Sequence, residues 1–213
     1  MTNNTSDREQ FLIGCNELKI TNIGKKIELI DSYVKLLKKW NKHFNLIGPK
    51  TVPDIYTRHI LDSIQLVPHL NDHQKIIDFG TGAGLSSVII AIMLDCEVHA
   101  VERNGKKYQF LSTVKRELGL GIKFIIHNDD ITQLPDSLNS AFDIITSRAF
   151  ADVAKIVEYG DRFLKEDGKY ILLKGENVQD EINSAKLKIK MTSETKDSIT
   201  LLDGKILFMS SST

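Results

Sequence analysis

Lys75-Ile76-Ile77-Asp78-Phe79-Gly80-Thr81-Gly82-Ala83-Gly84-Leu85 decides the fold. Ile76, Ile77 and Phe79 form a short apolar run that reads as a buried parallel strand. Asp78 interrupts it, and a buried acid needs a reason. Gly80, Gly82 and Gly84 then alternate, so the chain can turn with positive φ and a ligand can approach the backbone. Leu85 opens an apolar run, Val88 to Leu94, with the length of a helix packed on a sheet. Strand, glycine loop and helix together read as the start of a nucleotide-binding α/β unit.

The glycine spacing narrows the ligand. Dinucleotide loops follow G-x-G-x-x-G, whereas this one is D-x-G-x-G-x-G, which argues against a nicotinamide-dependent reductase. The pattern suits a ligand without pyrophosphate, whose adenosine and amino-acid moieties pass over the glycines. Val98 to Val101 reads as the second strand, ended by Glu102 about 20 residues after the loop, where a carboxylate grips ribose hydroxyls. The competing reading is a sheet-packing turn and an unrelated surface Glu.

Outward from this unit, the chain reads as an α/β fold. Strands are expected at Ile122–Ile126, Ala141–Ser147 and Lys169–Lys174, with a turn at Glu166-Asp167-Gly168. Helices are expected from Leu85 to Leu94, after Arg103-Asn104-Gly105, at Val153–Leu164 and at 177–187, and a closing β pair near 188–192 and 205–209. The sum is a Rossmann-like, doubly wound, mostly parallel sheet of about seven strands with helices on both faces. Ligands of such sheets bind at the carboxyl ends of strands. Asp129, Asp130, Arg148 and Lys174 fall there. Asp129 or Asp130 could meet an adenine amino group or merely cap a turn. Arg148 could hold a carboxylate or phosphate, or pair with Asp78 or Asp143. Lys174 could be a solvated lysine.

Residues 1–70 read as a helical extension before the 71–213 domain. Residues 1 to about 8 are polar and expected to be mobile. Lys25 to Phe44 reads as one amphipathic helix whose outer face carries Lys25, Lys26, Lys35, Lys38, Lys39 and Lys42. That face is a solvated surface or a phosphate-contacting ridge. After Gly48-Pro49, a second helix is expected over Val52–Leu66, carrying Arg58-His59-Ile60-Leu61-Asp62-Ser63. A Ser-His-Asp triad cannot easily converge from one short helix, so a polar face lining a cleft over the glycine loop is the better functional reading.

Composition excludes several classes. Of 213 residues, 41% are hydrophobic and 26% charged, enough for a full core without staples. Two cysteines, Cys15 and Cys96, suggest neither a disulfide scaffold nor a metal site, and favour a reducing, cytoplasmic compartment. No stretch has the length of a bilayer span, and no signal peptide is evident. The formal net charge is zero, so any nucleic-acid binding must come from local patches. No long exposed apolar stripe demands a partner, so a monomer is expected.

The glycine pattern, second acid and strand count resemble class I S-adenosylmethionine-dependent methyltransferases. Asn45-Leu46, the segment Arg58–Ser63, the glycine loop, Ser147-Arg148-Ala149-Phe150-Ala151 and Leu173-Lys174-Gly175 occur in that order. Together they resemble the ribosomal RNA small-subunit methyltransferase G family, also called glucose-inhibited division protein B, over about residues 25 to 185. The Arg58–Ser63 and Ser147–Ala151 segments are specific, and the glycine loop alone is not. The resemblance implies methylation of N7 of a guanosine in the decoding-region loop of 16S rRNA, free or in the small subunit, with S-adenosylmethionine as donor and no metal. It implies donor contacts at Asp78, Gly80, Gly82, Gly84, Leu85, Glu102, Asp129, Asp130 and Arg148. It implies substrate-side roles for Asn45, His59, Lys106, Arg148 and Lys174. Where the family usually has Pro-Gly after the loop leucine, this chain has Ser86-Ser87; Asn128 stands in place of a usual Arg, and the tail from Lys205 to Thr213 lacks the usual basic finish. Rival classes are a small-molecule methyltransferase, against which the basic helix argues, and a non-catalytic RNA-binding relative.

Overall fold

The computed structural model describes residues 5–186, 190–200 and 204–211. Seven strands form one sheet in the order β3-β2-β1-β4-β5-β7-β6. They are β1 Lys75–Phe79, β2 Glu97–Val101, β3 Phe124–His127, β4 Phe142–Arg148, β5 Leu164–Lys174, β6 Met191–Asp197 and β7 Lys205–Ser211. The first five are parallel, and β7 runs antiparallel to both β5 and β6. The doubly wound reading therefore holds, with the strand order reversing between β1 and β4. That reversal opens a crevice at the strands' carboxyl ends.

Helices α1 (Asp7–Glu17), α2 (Ile23–Asn41), α3 (Asp62–Ile64), α4 (Leu85–Met93) and α5 (Gly105–Glu117) precede α6 (Val153–Gly160) and α7 (Val178–Lys186). One apolar cluster joins Phe11, Ile30, Leu37 and Ile60 of the extension to Ile76, Val88 and Phe110. A second, on the other side of the sheet, gathers Ile77, Phe79, Ile145, Val157 and Leu172. Alternate β1 residues thus feed opposite layers, as the two-residue period of a strand requires.

Several boundaries differ from the sequence reading. The chain is ordered earlier than expected: Ser6 and Glu9 form a capping box, and Arg8 reaches Asp31 at 2.8 Å. Residues 1–4 lie outside the described residues. Helix α2 stops at Asn41, whose Oδ1 accepts from the N–H groups of Leu46 (2.8 Å) and Ile47 (2.9 Å). This bend buries Leu46 and Ile47 and leaves Asn45 exposed. The expected helix over Val52–Leu66 is instead a 3-10 turn at Pro49–Thr51, a π-helical turn at Tyr56–Leu61 and the single α-turn α3. Asp7 of α1 accepts from the N–H groups of Tyr56 (2.8 Å) and Thr57 (2.9 Å), fixing where the wide turn starts.

On the sheet, Ile122 is 91% exposed and outside β3; Phe124 is the residue that anchors that strand. Gly121 at φ +69° turns the chain first. The turn at Glu166-Asp167-Gly168 is a bulge within a longer β5, since Phe142 pairs with Leu164 but Ile144 with Lys169. The α-helix expected to Leu164 ends at Gly160 and tightens into a 3-10 turn, Asp161–Phe163. The closing β pair is present but longer than expected, and residues 187–189 and 212–213 lie outside the described residues.

Candidate active site

The glycine loop is held by backbone geometry. Gly80, Gly82 and Gly84 all have positive φ, at +61°, +61° and +78°. A Cβ on Gly80 would lie 2.3 Å from the Phe150 ring, so that position is closed to any other residue. A Cβ on Gly82 would meet nothing nearer than 3.8 Å, which leaves an open backbone surface. Glu102, 7% exposed, accepts from the N–H of Gly82 at 3.0 Å and of Asn104 at 2.8 Å. The second acid thus ties the loop to the end of β2 while retaining acceptor capacity. Asn128 donates to the Glu102 carbonyl at 2.9 Å, so this departure from the family pattern joins β3 to β2.

Asp78 is buried beneath the loop. Thr146 donates to it at 2.9 Å, and Thr81 bonds Ser87 at 2.5 Å. Burial pushes the Asp78 carboxyl up to about 6, against hydrogen bonds from Thr81, Thr146 and Ser87 that favour its anion. Ser87, the other departure, therefore helps hold the acid. The expected alternative pairing of Arg148 with Asp78 or Asp143 is not formed. Asp143 pairs with Lys165 at 2.6 Å, and Arg148 Nε meets Asp62 at 2.9 Å.

Arg148 ends β4 and meets the wide turn. Its Nη2 lies 3.2 Å from His59 Nδ1 and 3.3 Å from the Arg58 carbonyl. Its Nη1 is buried and has no hydrogen-bond partner. A guanidinium only donates, so His59 Nδ1 accepts and the ring proton sits on Nε2. Nε2 in turn lies 2.7 Å from Thr51 Oγ1, which donates to the Gly48 carbonyl at 2.8 Å. Burial, with the positive charge of Arg148, pushes His59 down to about 4. The imidazole is a neutral, tautomerically fixed wall. Ser63 Oγ donates to the His59 carbonyl at 2.8 Å, so no triad exists here.

Two cavities meet at the loop. One, of about 340 Å³, is lined by Gly80, Glu102, Asp129, Asp130 and Phe150. The other, of about 270 Å³, is lined by Leu46, His59, Asp78, Gly82, Leu85 and Arg148. Gly80, Lys107 and Ala149 border both. Asp130 also caps the turn after β3, accepting from Thr132 N at 3.1 Å, so its cap and cavity readings coexist. Gly84 is buried against Leu111 and Val88, supporting the loop from behind.

The remaining expected residues are arranged differently. Asn45 is exposed just before cavity-lining Leu46. Lys106 is exposed, with its ammonium 5.5 Å from the Phe44 ring centroid. Lys174 is not a solvated lysine: its Nζ meets Glu181 at 2.5 Å and donates to the Ala151 carbonyl at 2.8 Å. It borders a further cavity of about 510 Å³ that Arg148 and Lys205 share. Sequence reasoning missed Lys107, Thr146 and Tyr33. The N-cap signal of Asn104 could have placed Lys107 in the first turn of α5. No local signal announces Thr146 or Tyr33, which act across the sheet and from another helix.

The family model described as rRNA small subunit methyltransferase G matches residues 26–208. The chain belongs to that family. The ribosomal RNA small subunit methyltransferase G of Paramagnetospirillum magneticum is 33% identical over 184 residues, covering 86% of this chain and 87% of the relative. That of Caulobacter vibrioides is 32% identical over 202 residues, covering 93% and 88%. An S-adenosylmethionine-dependent methyltransferase of Aquifex aeolicus shares the fold at a TM-score of 0.59 and 15% identity, over 74% of this chain and 93% of that one. As a member of the rRNA small subunit methyltransferase G family, the chain is an S-adenosylmethionine-dependent methyltransferase. The residues fit that donor. The crevice offers an open glycine backbone, the Glu102 carboxylate with acceptor capacity to spare at the end of β2, and a buried acid, Asp78, beneath the loop. Among the described residues, no group of acidic, His and Cys side chains could hold a metal.

Proposed function

We propose that this methyltransferase transfers a methyl group to N7 of a guanosine in 16S rRNA, presented as free rRNA or in the small ribosomal subunit. The observation that carries this reading is the Arg148 guanidinium, fixed by Asp62 and His59 at the wall of the glycine-loop cavity with Nη1 left over. Bound S-adenosylmethionine supplies an electrophilic methyl on a sulfonium. Gly80, Gly82, Gly84 and Leu85 would cradle it, Glu102 would take its ribose hydroxyls, and Asp129 and Asp130 would border its adenine. Asp78 would balance its positive charge.

Guanine N7 has an exposed lone pair and no proton to lose, so the chain needs no general base. The neutral His59 agrees with this, since its Nδ1 lone pair is spent on Arg148. Catalysis is then alignment and exclusion of water. Arg148, His59 and Asn45 would orient the guanine and its phosphate. Lys106 and the lysines of α2 would contact backbone phosphates, and Lys174 would do so by exchanging Glu181 for phosphate. Lys35, Lys38 and Lys39 are exposed along α2 and Lys42 just past its end, which supports a local basic patch on a chain of zero formal net charge. The helical residues 1–70 would form the RNA-side cap of the 71–213 domain. A cytoplasmic monomer fits this work, and no described helix is long and apolar enough to cross a membrane.

The test offers methyl-labelled donor with undermethylated 16S rRNA, intact small subunits or a metabolite pool. Label in N7-methylguanosine at one rRNA position supports the reading. Label only in a small molecule, or in no acceptor, refutes it.

A further inference from the structure

Residues 198–200, which open the turn after β6, reach the Arg148 wall through polar side chains. Gln65, fully buried, donates from Nε2 to Asp62 Oδ1 at 2.9 Å and to Ser198 Oγ at 3.0 Å. Its Oε1 accepts from the N–H of Ile199 at 3.3 Å. Thr200 Oγ1 donates to the same Asp62 Oδ1 at 2.8 Å, and Ser198 Oγ lies 2.9 Å from Thr200 Oγ1. Asp62 Oδ2 is left for Arg148 Nε at 2.9 Å.

A carboxylate that is 2% exposed is costly to bury unless its oxygens are supplied with donors. Two neutral donors on Oδ1 and a guanidinium on Oδ2 meet that demand and fix the carboxylate plane. That plane sets the direction of the Arg148 Nε–H bond. With Nη2 directed at His59 and Arg58, the guanidinium has one remaining free nitrogen, Nη1. None of Gln65, Ser198 or Thr200 borders the glycine-loop cavities.

We infer that Asp62, backed by Gln65 and Thr200, is the positioning group for Arg148, so that residues 198–200 at the start of the turn after β6 set the geometry of methyl transfer without touching the donor. The inference rests on the reading of Arg148 as the group that holds the substrate. A misplacement near 1 Å costs up to about 100-fold in rate, so a hydroxyl two residues of contact away from the substrate is enough to matter.

Thr200→Val removes the donor and keeps the shape, whereas Thr200→Ser keeps the donor. Steady-state transfer to undermethylated small subunits, thermal unfolding and the NMR signal of the Arg148 Nε–H are measured for both. Thr200→Val is expected to lower kcat about 3- to 30-fold, with donor KM within about twofold of wild type. Its Arg148 Nε–H signal shifts or broadens, and Thr200→Ser restores both readouts. An unmoved Nε–H signal with wild-type kcat in Thr200→Val overturns the inference. Equal losses in the Val and Ser variants overturn it too, since they mark a turn that is merely structural. Should the wild-type chain label no rRNA, the functional reading fails on its own, and the Nε–H signal still decides whether the turn positions Arg148.

Discussion

The glycine loop itself is made from one continuous stretch tied to the end of its neighbouring strand, whereas the Arg148 end gathers residues from three separate stretches, 51–65, Arg148 and 198–200. At the loop, backbone N–H groups and left-handed glycines carry the structure, and Glu102 fastens it across 20 residues. At Arg148, side chains carry it: Thr51, His59, Asp62, Gln65 and Thr200, with Asp62 and Thr200 bonded across 138 residues. A backbone-built end accepts one shape of ligand and tolerates few substitutions at its glycines. A side-chain-built end can be retuned one residue at a time, but each loss leaves a buried partner unpaired.

The sharpest way to break this contrast is Arg148→Ala. Methyl transfer should fall by more than about 100-fold while binding of S-adenosylhomocysteine, measured calorimetrically, stays within a few-fold. The same variant strands the Asp62 carboxylate, so it should also lose about 3 kcal/mol of stability. Adding Asp62→Asn should recover melting temperature without recovering activity. Recovery of both would mean that Arg148 serves the fold alone.

At the other end, Gly80→Ala places a methyl group against the Phe150 ring at positive φ. Donor-product affinity should weaken about 10- to 100-fold, with the α2 surface and its RNA affinity unaltered. A filter-binding measurement in which RNA affinity falls as far as donor affinity would show that the two ends are not separately built.

The smallest effect is in pH. Burial holds Asp78 up to about 6, so the fold favours its protonated form more than the unfolded chain does. The ligand-free protein therefore loses stability as pH rises through about 4 to 6, on the order of 3 kcal/mol in all. A cationic donor favours the carboxylate, so its affinity should rise roughly tenfold between about pH 5 and pH 8. Asp78→Asn should flatten both profiles and raise the melting temperature at neutral pH. Donor affinity independent of pH in the wild type would remove Asp78 from the binding argument.

These contrasts also explain what could be read from sequence. Asp78 to Leu85 and Glu102 were legible because short-range spacing determines their geometry, and the doubly wound sheet of about seven strands followed from repeated β–α units. The wide turn at Tyr56–Leu61 was not, because Asp7, far away in the chain, fixes where it starts. Lys174 could be read as a solvated lysine or a substrate-side group, and its ion pair was not legible because Glu181 stands on a later helix and also accepts from the N–H of Val153 at 3.0 Å. The bulge in β5 looked like a turn because Glu166-Asp167-Gly168 has turn chemistry, yet strand pairing resumes beyond it. Pairing across long separations leaves no periodic trace in a single sequence.

Tyr33 of α2, fully buried, donates its hydroxyl to the carbonyl of Ala83 at 2.8 Å. The lysine-bearing helix is thereby riveted to the middle of the glycine turn. A displacement of that helix is therefore carried straight into the backbone between Gly82 and Gly84, and a strain on that backbone is carried back to the helix.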